Sequence, residues 1–356
     1  MGKQFNLLRE KYLPQIEREI KKFFEEKIST QKDEVIVRYY EELSSYVLRG
    51  GKRFRPLALI SSYYGSGSKH EGNIIRASIS VELLHNSSLI HDDIMDESPK
   101  RRGGPSFHYL MANWSRLSPR TPPPRNPGIS LGILGGDSLI ELGLEALLES
   151  GFPNEIIVKA ASEYSVAYRK LIEGQLLDLY LSTVTMPTEE EVLRMLSLKT
   201  GTLFSASLVM GGMLAGASED MLHFLRSFGQ RVGVAFQLQD DILGLYGDEA
   251  VIGKPADSDI KEGKRTLLVV KAWELSDEAT RKKLLSILGN PNISAADLNY
   301  VREVVKELGA LDYTRKTALN LLKENEKDIE FNKHLFEESF VEFLKELNEI
   351  VIARSF

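Results

Sequence analysis

One stretch, Val81–Asp96, constrains what this chain can fold into: an apolar run that ends in acid. It holds no Gly, and no Pro follows until Pro99, so it reads as a buried helix. Asp92, Asp93 and Asp96 sit at its end. On a helix, Asp92 and Asp96 lie one turn apart and share a face. Like charges on one buried face repel, and an unpaired buried charge is expensive, so a cation must sit against them. Carboxylate oxygens alone favour a hard cation such as Mg²⁺. A second apolar run, Val234–Gly244, carries the acid pair Asp240 and Asp241. Mg²⁺ takes one or two carboxylates and fills its shell with water and phosphate oxygens. Two acid-ended helices therefore read as two walls of one cavity that holds a diphosphate through metal.

The remaining pattern is helical almost throughout. Apolar residues recur at helical spacing over Phe5–Lys27, Glu34–Leu48, Phe54–Tyr64, Glu71–Asp96, Ile129–Leu148, Asn154–Ser182, Thr188–Ala215 and Glu219–Leu245. Further amphipathic segments run from Thr266 to Ala353. Strand-type alternation is almost absent, which predicts an all-α single-domain bundle of long helices around a central cavity. Ser115–Pro127 holds five prolines and three arginines and reads as an inserted loop within one domain spanning 1–356. The net charge of −6 argues against a nucleic-acid role. No cysteine is present, so disulfides and thiol chemistry are excluded. No run of about 18 apolar residues exists and the first residues lack an apolar leader, which predicts a cytoplasmic protein without a membrane span.

Basic pieces accompany the acids. Gly50–Pro56 sets Lys52, Arg53 and Arg55 beside a glycine pair. Arginine grips phosphate oxygens with two N–H groups and lysine adds a point charge, though a solvated turn would look the same. Lys100, Arg101 and Arg102 follow the first acid cluster. They read as phosphate capture beside the metal, since two adjacent arginines cannot both serve one helix end well. Lys199 and Thr200 precede Gly201 inside an otherwise apolar helix, where a cap and a snorkelling lysine are the alternative. Lys254 and Lys264 flank the loop after the second acid pair, either as a solvated loop or as a lid. His85, two turns before Asp92, is either a diphosphate ligand or a core histidine bonded to backbone.

Taken together these pieces resemble the trans-isoprenyl diphosphate synthases, the polyprenyl synthetase family, and most resemble archaeal geranylgeranyl-type synthases. The matching residues are Gly50–Pro56, His91–Asp96 with Arg101–Gly103, Glu173–Gln175 with Asp178, Lys199–Gly201, Phe236 and Gln237 with Asp240 and Asp241, and Gly253–Pro255 with Asp259 and Lys264. The resemblance implies the isoprenoid synthase type I fold and a homodimer. It implies condensation of isopentenyl diphosphate with an allylic diphosphate in trans. Mg²⁺ would be held by Asp92, Asp96 and Asp240. Arg101, Lys199, Thr200, Gln237, Lys254 and Lys264 would steady the allylic diphosphate, with Asp92, Asp96, Asp240, Lys199 and Arg101 forming the catalytic set. Lys52, Arg55, His85 and Arg102 would hold isopentenyl diphosphate. Two departures stand out: Gly244 occupies a place where many relatives carry a third Asp, and the Pro-rich insertion is not part of the usual pattern.

Product length follows from the helix face above Asp92. Counting back by turns gives Ser88, with Ser87 beside it, then Leu84. The serines leave the tail path open, and Leu84, about 12 Å from Asp92, is the first bulky floor. This predicts geranylgeranyl diphosphate or a longer product. Two other readings share these features. A class I terpene cyclase would not need the Gly51–Arg55 cations and would consume geranylgeranyl diphosphate alone. A regulatory subunit of a heteromeric synthase would be inactive by itself.

Overall fold

The computed structural model describes residues 2–68, 74–112, 127–247 and 257–353. Among these, the fold is all-α apart from one two-residue hairpin. The chain divides into two compact units, Asn6–Tyr164 with Met210–Ala217, and Met1–Phe5 with Ser165–Val209 and Ser218–Phe356.

The first unit holds α1 (Lys3–Ser29, from Asn6 on), α2 (Glu34–Val47), α3 (Phe54–Gly65) and α4 (Ile74–Met95). After α4 come the hairpin β1 (Lys100–Arg101) and β2 (Gly104–Pro105), α5 (Phe107–Ala112) and α6 (Pro127–Leu148). Asp33 starts α2 by accepting the Val35 N–H at 2.9 Å, a normal N-cap. The centre of this unit is α4. It is buried around most of its axis, with Ile74, Ala77, Ile79, Val81, Leu83, Leu84 and Ile90 in the core. Its main neighbour is α6, whose Gly132, Gly136 and Gly143 let Ile94, His91 and the Ser80 carbonyl approach the α6 backbone.

The second unit takes up the C-terminal part of α7 (Asn154–Thr183) and adds α8 (Glu189–Leu196), α9 (Thr202–Ala215, to Val209) and α10 (Glu219–Tyr246). It continues through α11 (Ser258–Lys261), α12 (Leu267–Leu275), α13 (Glu278–Ile287), α14 (Ala295–Glu307), α15 (Ala310–Asn332) and α16 (Glu338–Ala353). Helix starts are well marked, with a capping box at Thr188 and Glu191 and another at Ser294 and Asp297. The main partner of α10 is α15, and a cluster around Ile242, Leu245, Leu268, Leu284 and Val305 fills one end of the unit.

The sequence predicts one continuous helix over Thr188–Ala215, but the structure interrupts it with a π-helical turn at Ser197–Gly201. Glycines explain the turn. A Cβ at Gly174 of α7 would strike the Lys199 backbone, and one at Gly233 of α10 would fall 2.5 Å from the Gly201 Cα. Three backbones meet there more closely than ordinary side chains allow, and the chain widens by one residue to fit. The predicted loop over Gly247–Gly263 contains the short α11. Most of the Pro-rich insertion, and the start of the helix predicted from Glu71, lie outside the described residues.

Candidate active site

Within the first unit the acid end of α4 and two basic loops converge. Asp92 and Asp96 are half-buried at the helix end, while Asp93 between them in the chain is fully buried. Arg101 donates both Nε, at 2.9 Å, and Nη2 to Asp93 Oδ1, and its Nη2 lies 3.9 Å from Asp92 Oδ2. Burial pushes the Asp93 carboxyl up, and the Arg101 bonds oppose that rise. Asp93 is thus the anchor that sets Arg101 beside the Asp92 carboxylate.

The arginines diverge because of the turn between them. Lys100 pairs with Pro105 and Arg101 with Gly104, leaving Arg102 and Gly103 as a two-residue connection at φ +51° and +74°. A tight hairpin demands positive φ at both positions, which Gly accepts and Arg does not favour. Arg101 returns to Asp93, and Arg102 donates Nη1 to Asn86 Oδ1 at 3.1 Å, about two turns further up α4.

The other expected ligands of isopentenyl diphosphate are here too. Lys52 is exposed and Arg55 half-buried at the start of α3. His85 is pushed well below the usual histidine range, first by burial and then by the facing charges of Arg55, Arg102, Arg101 and Arg53. Along α4, His85, Ser88, Asp92 and Asp96 keep solvent access and form one stripe at turn spacing. Leu84 and Ser87 are fully buried, and Ser88 donates its hydroxyl to the His85 carbonyl at 2.8 Å.

The second unit gathers a different set. In the π turn, Lys199 Nζ lies 2.6 Å from Asp178 Oδ2 of α7, and Thr200 Oγ1 donates to Gln237 Oε1 at 3.1 Å. Gln237 Nε2 donates to Asp241 Oδ1 at 3.0 Å. Asp241 is buried, and Asp240 beside it remains half-buried. Lys264 sits 3.8 Å from Asp259 and 2.7 Å from Glu262. Gly244 also finds its reason: a Cβ there would fall 2.8 Å from Asp259 Oδ2. The missing side chain leaves room for a carboxylate brought in from a distance, which no local pattern reveals. Lys254 lies outside the described residues.

An all-α fold with carboxylates ending long apolar helices, and cations gathered on the same ends, defines a class of proteins that handle diphosphates with metal. The polyprenyl synthetase family model matches residues 37–305. The chain is 36% identical to the geranylgeranyl diphosphate synthase of Saccharolobus solfataricus, over 88% of this chain and 90% of that protein. It is 34% identical to the geranylfarnesyl diphosphate synthase of Aeropyrum pernix, over 76% and 80%. Its fold matches the crystal structure of Corynebacterium glutamicum geranylgeranyl pyrophosphate synthase complexed with isoprenyl diphosphate and magnesium. That match has a TM-score of 0.89 and 27% identity, and covers 97% of this chain and 99% of the other. The chain belongs to the polyprenyl synthetase family.

Proposed function

We propose that this chain, acting over 1–356 as one catalytic domain, condenses isopentenyl diphosphate with allylic diphosphates in trans. The product is geranylgeranyl diphosphate or a longer polyprenyl diphosphate. The observation that carries this reading is the convergence on α4 of the Asp92 and Asp96 carboxylates and four cations, Lys52, Arg55, Arg101 and Arg102. So much positive charge beside a helix end that also offers metal ligands suits two diphosphates better than one.

The donor set fits a hard divalent metal. Asp92 and Asp96 are oxygen-only ligands one turn apart, and no group of three or more His, Cys, Asp or Glu side chains forms a complete metal cage among the described residues. Mg²⁺ suits such an open set, since it keeps waters and takes substrate phosphates. Asp92, Asp96 and Asp240 would hold it, and when bound it neutralises the charge that develops on the departing diphosphate. Arg101, fixed by Asp93, adds a permanent charge at the same end. Lys199, Thr200, Gln237, Lys254 and Lys264 steady the allylic diphosphate. Lys52, Arg55, His85 and Arg102 hold isopentenyl diphosphate, with His85 neutral at pH 7 and so able to accept as well as donate. The released diphosphate takes the proton, so no side-chain base is needed. Ser88 and Ser87 above Asp92 would leave the growing tail a small-residue path, with Leu84 as its floor.

No helix among the described residues is long and apolar enough to cross a membrane. We further propose a homodimer. Ile129, Ile133 and Leu134 on α6 are 37%, 47% and 55% exposed and form an apolar face that a second copy would cover. Incubating the purified chain with labelled isopentenyl diphosphate, Mg²⁺ and a series of allylic starters tests the reaction. Polyprenyl diphosphates of twenty carbons or more are the expected products. Consumption of an allylic diphosphate alone would assign a cyclase instead, and inactivity alone would assign a regulatory subunit.

A further inference from the structure

Glu82 is the one acid in the interior of α4, ten residues before Asp92, and it is 2% exposed. Its Oε1 accepts from Arg53 Nη1 at 2.5 Å and from Asn86 Nδ2 at 3.0 Å, and it lies 3.8 Å from Arg102 Nη2. Arg53, also 2% exposed, donates Nε to Glu17 at 2.8 Å and Nη2 to the Val47 carbonyl at 2.7 Å. Arg102 reaches the same knot through Asn86, and its guanidinium packs on Gly51, where a Cβ would stand 3.3 Å from Cζ. One carboxylate therefore ties two separate basic loops to α4.

Both tied residues carry backbone strain. Arg53 stands at φ +50° and Arg102 at φ +51°, in the left-handed region that arginine disfavours. Such strain persists only where the surroundings over-determine it, and it collects at functional sites. Arg53 is spent entirely on this anchoring: its guanidinium is buried among Glu82, Glu17 and the Val47 carbonyl. Its neighbours Lys52 and Arg55 are the residues left facing outward.

We infer that Glu82 is a positioning residue for isopentenyl diphosphate, holding the Lys52–Arg55 loop through Arg53 and the Arg102 turn through Asn86. It rests on the reaction assigned above, but its test separates the two. Glu82→Gln keeps the size and removes the charge. Were Glu82 only an unwelcome negative charge near the site, its loss would tighten diphosphate binding. As an anchor, its loss lets both strained loops relax. The Michaelis constant for isopentenyl diphosphate should then rise by about ten- to a hundredfold, the range for outer-shell partners. The constant for the allylic diphosphate should change less than that for isopentenyl diphosphate, since the contacts of Glu82 are with Arg53, Asn86 and Arg102. Glu82→Asp, which keeps the charge, should recover part of the loss. Calorimetry with isopentenyl diphosphate alone gives a second readout that needs no turnover. Weaker binding to Glu82→Gln than to wild type supports the anchor even if no condensation occurs, and equal or tighter binding overturns it. An inactive wild type would sink the assigned reaction and leave this comparison decisive. Should Glu82→Gln fail to fold, Glu17→Gln loosens Arg53 from its more exposed side, and an unchanged affinity for isopentenyl diphosphate there overturns the proposal.

Discussion

The acid ends of α4 and α10 look alike in sequence and differ in how their charges are held. At α4 the counter-charges are guanidinium groups. Arg101 is fixed on Asp93 by two donors, and Arg53 and Arg102 are tied to Glu82 and Asn86. At α10 they are ammonium and amide groups: Lys199 on Asp178, a relay from Thr200 through Gln237 to Asp241, and Lys264 between Asp259 and Glu262. Guanidinium is planar, permanently charged and directional, whereas the lysine ammonium is a point charge on a flexible stem. The α4 end is therefore pre-organised, with its arginines locked before substrate arrives. The lysines at the α10 end keep more freedom to move than the arginines at the α4 end.

The largest expected effect tests whether both ends serve one reaction. Asp92→Ala and Asp240→Ala should each lower turnover by at least about a hundredfold, the scale of losing a group that stabilises developing charge. Both carboxylates are half-buried, so thermal unfolding should move by no more than about 1 kcal/mol. A large loss in one variant with full activity in the other would break the pairing of the two ends. Next comes product length, which the α4 stripe should control. Ser88→Phe places a ring on the accessible face one turn above Asp92 and should shorten the product by at least one isoprene unit. Ser87→Phe should shorten it too, but from a fully buried position. That overpacking costs about 1–3 kcal/mol of stability. If chromatography shows unchanged products from both, the floor belongs to another element.

Much of this was legible because it is local. Acids one turn apart after an apolar run, glycine pairs beside cations and helical spacing all lie within a few residues, and the helices follow. What was not legible is long-range. Asp259 fits against Gly244 from fifteen positions away, and Arg53 meets Glu82 across twenty-nine. The π turn at Ser197–Gly201 arises where α7 and α10 approach through Gly174 and Gly233. The divergence of Arg101 and Arg102 depends on a tight turn that Arg102 enters against its own preference. A lone acid such as Glu82 in an apolar helix is the sort of local inconsistency that marks these ties.

Stability measurements sharpen the contrast between rigid and adaptable ends. Asp93→Asn leaves the half-buried Arg101 without its anion and should cost about 2–4 kcal/mol, as for breaking a buried pair. Asp178→Asn removes one partner of Lys199, whose flexible stem can reach water, and should cost about 1 kcal/mol or less. Equal losses would mean that the lysine end is as locked as the arginine end.

The smallest effect is a pH dependence peculiar to the α4 side. His85 has its folded pKa depressed by burial and by Arg55, Arg102, Arg101 and Arg53, so the folded state holds it neutral. A depressed histidine contributes stability in full above its unfolded value of about 6.5, and that contribution falls away as pH drops below it. Wild type should therefore lose stability between pH 7.5 and 5.5 that His85→Gln does not, read as a narrowing gap between their denaturant midpoints. No comparable pH dependence is expected at the α10 end, where the cations paired among the described residues are lysines. A constant gap between pH 7.5 and 5.5 would mean that neither burial nor the neighbouring arginines hold His85 neutral in the fold. The locked arrangement of the basic loops would then be looser than their hydrogen bonds imply.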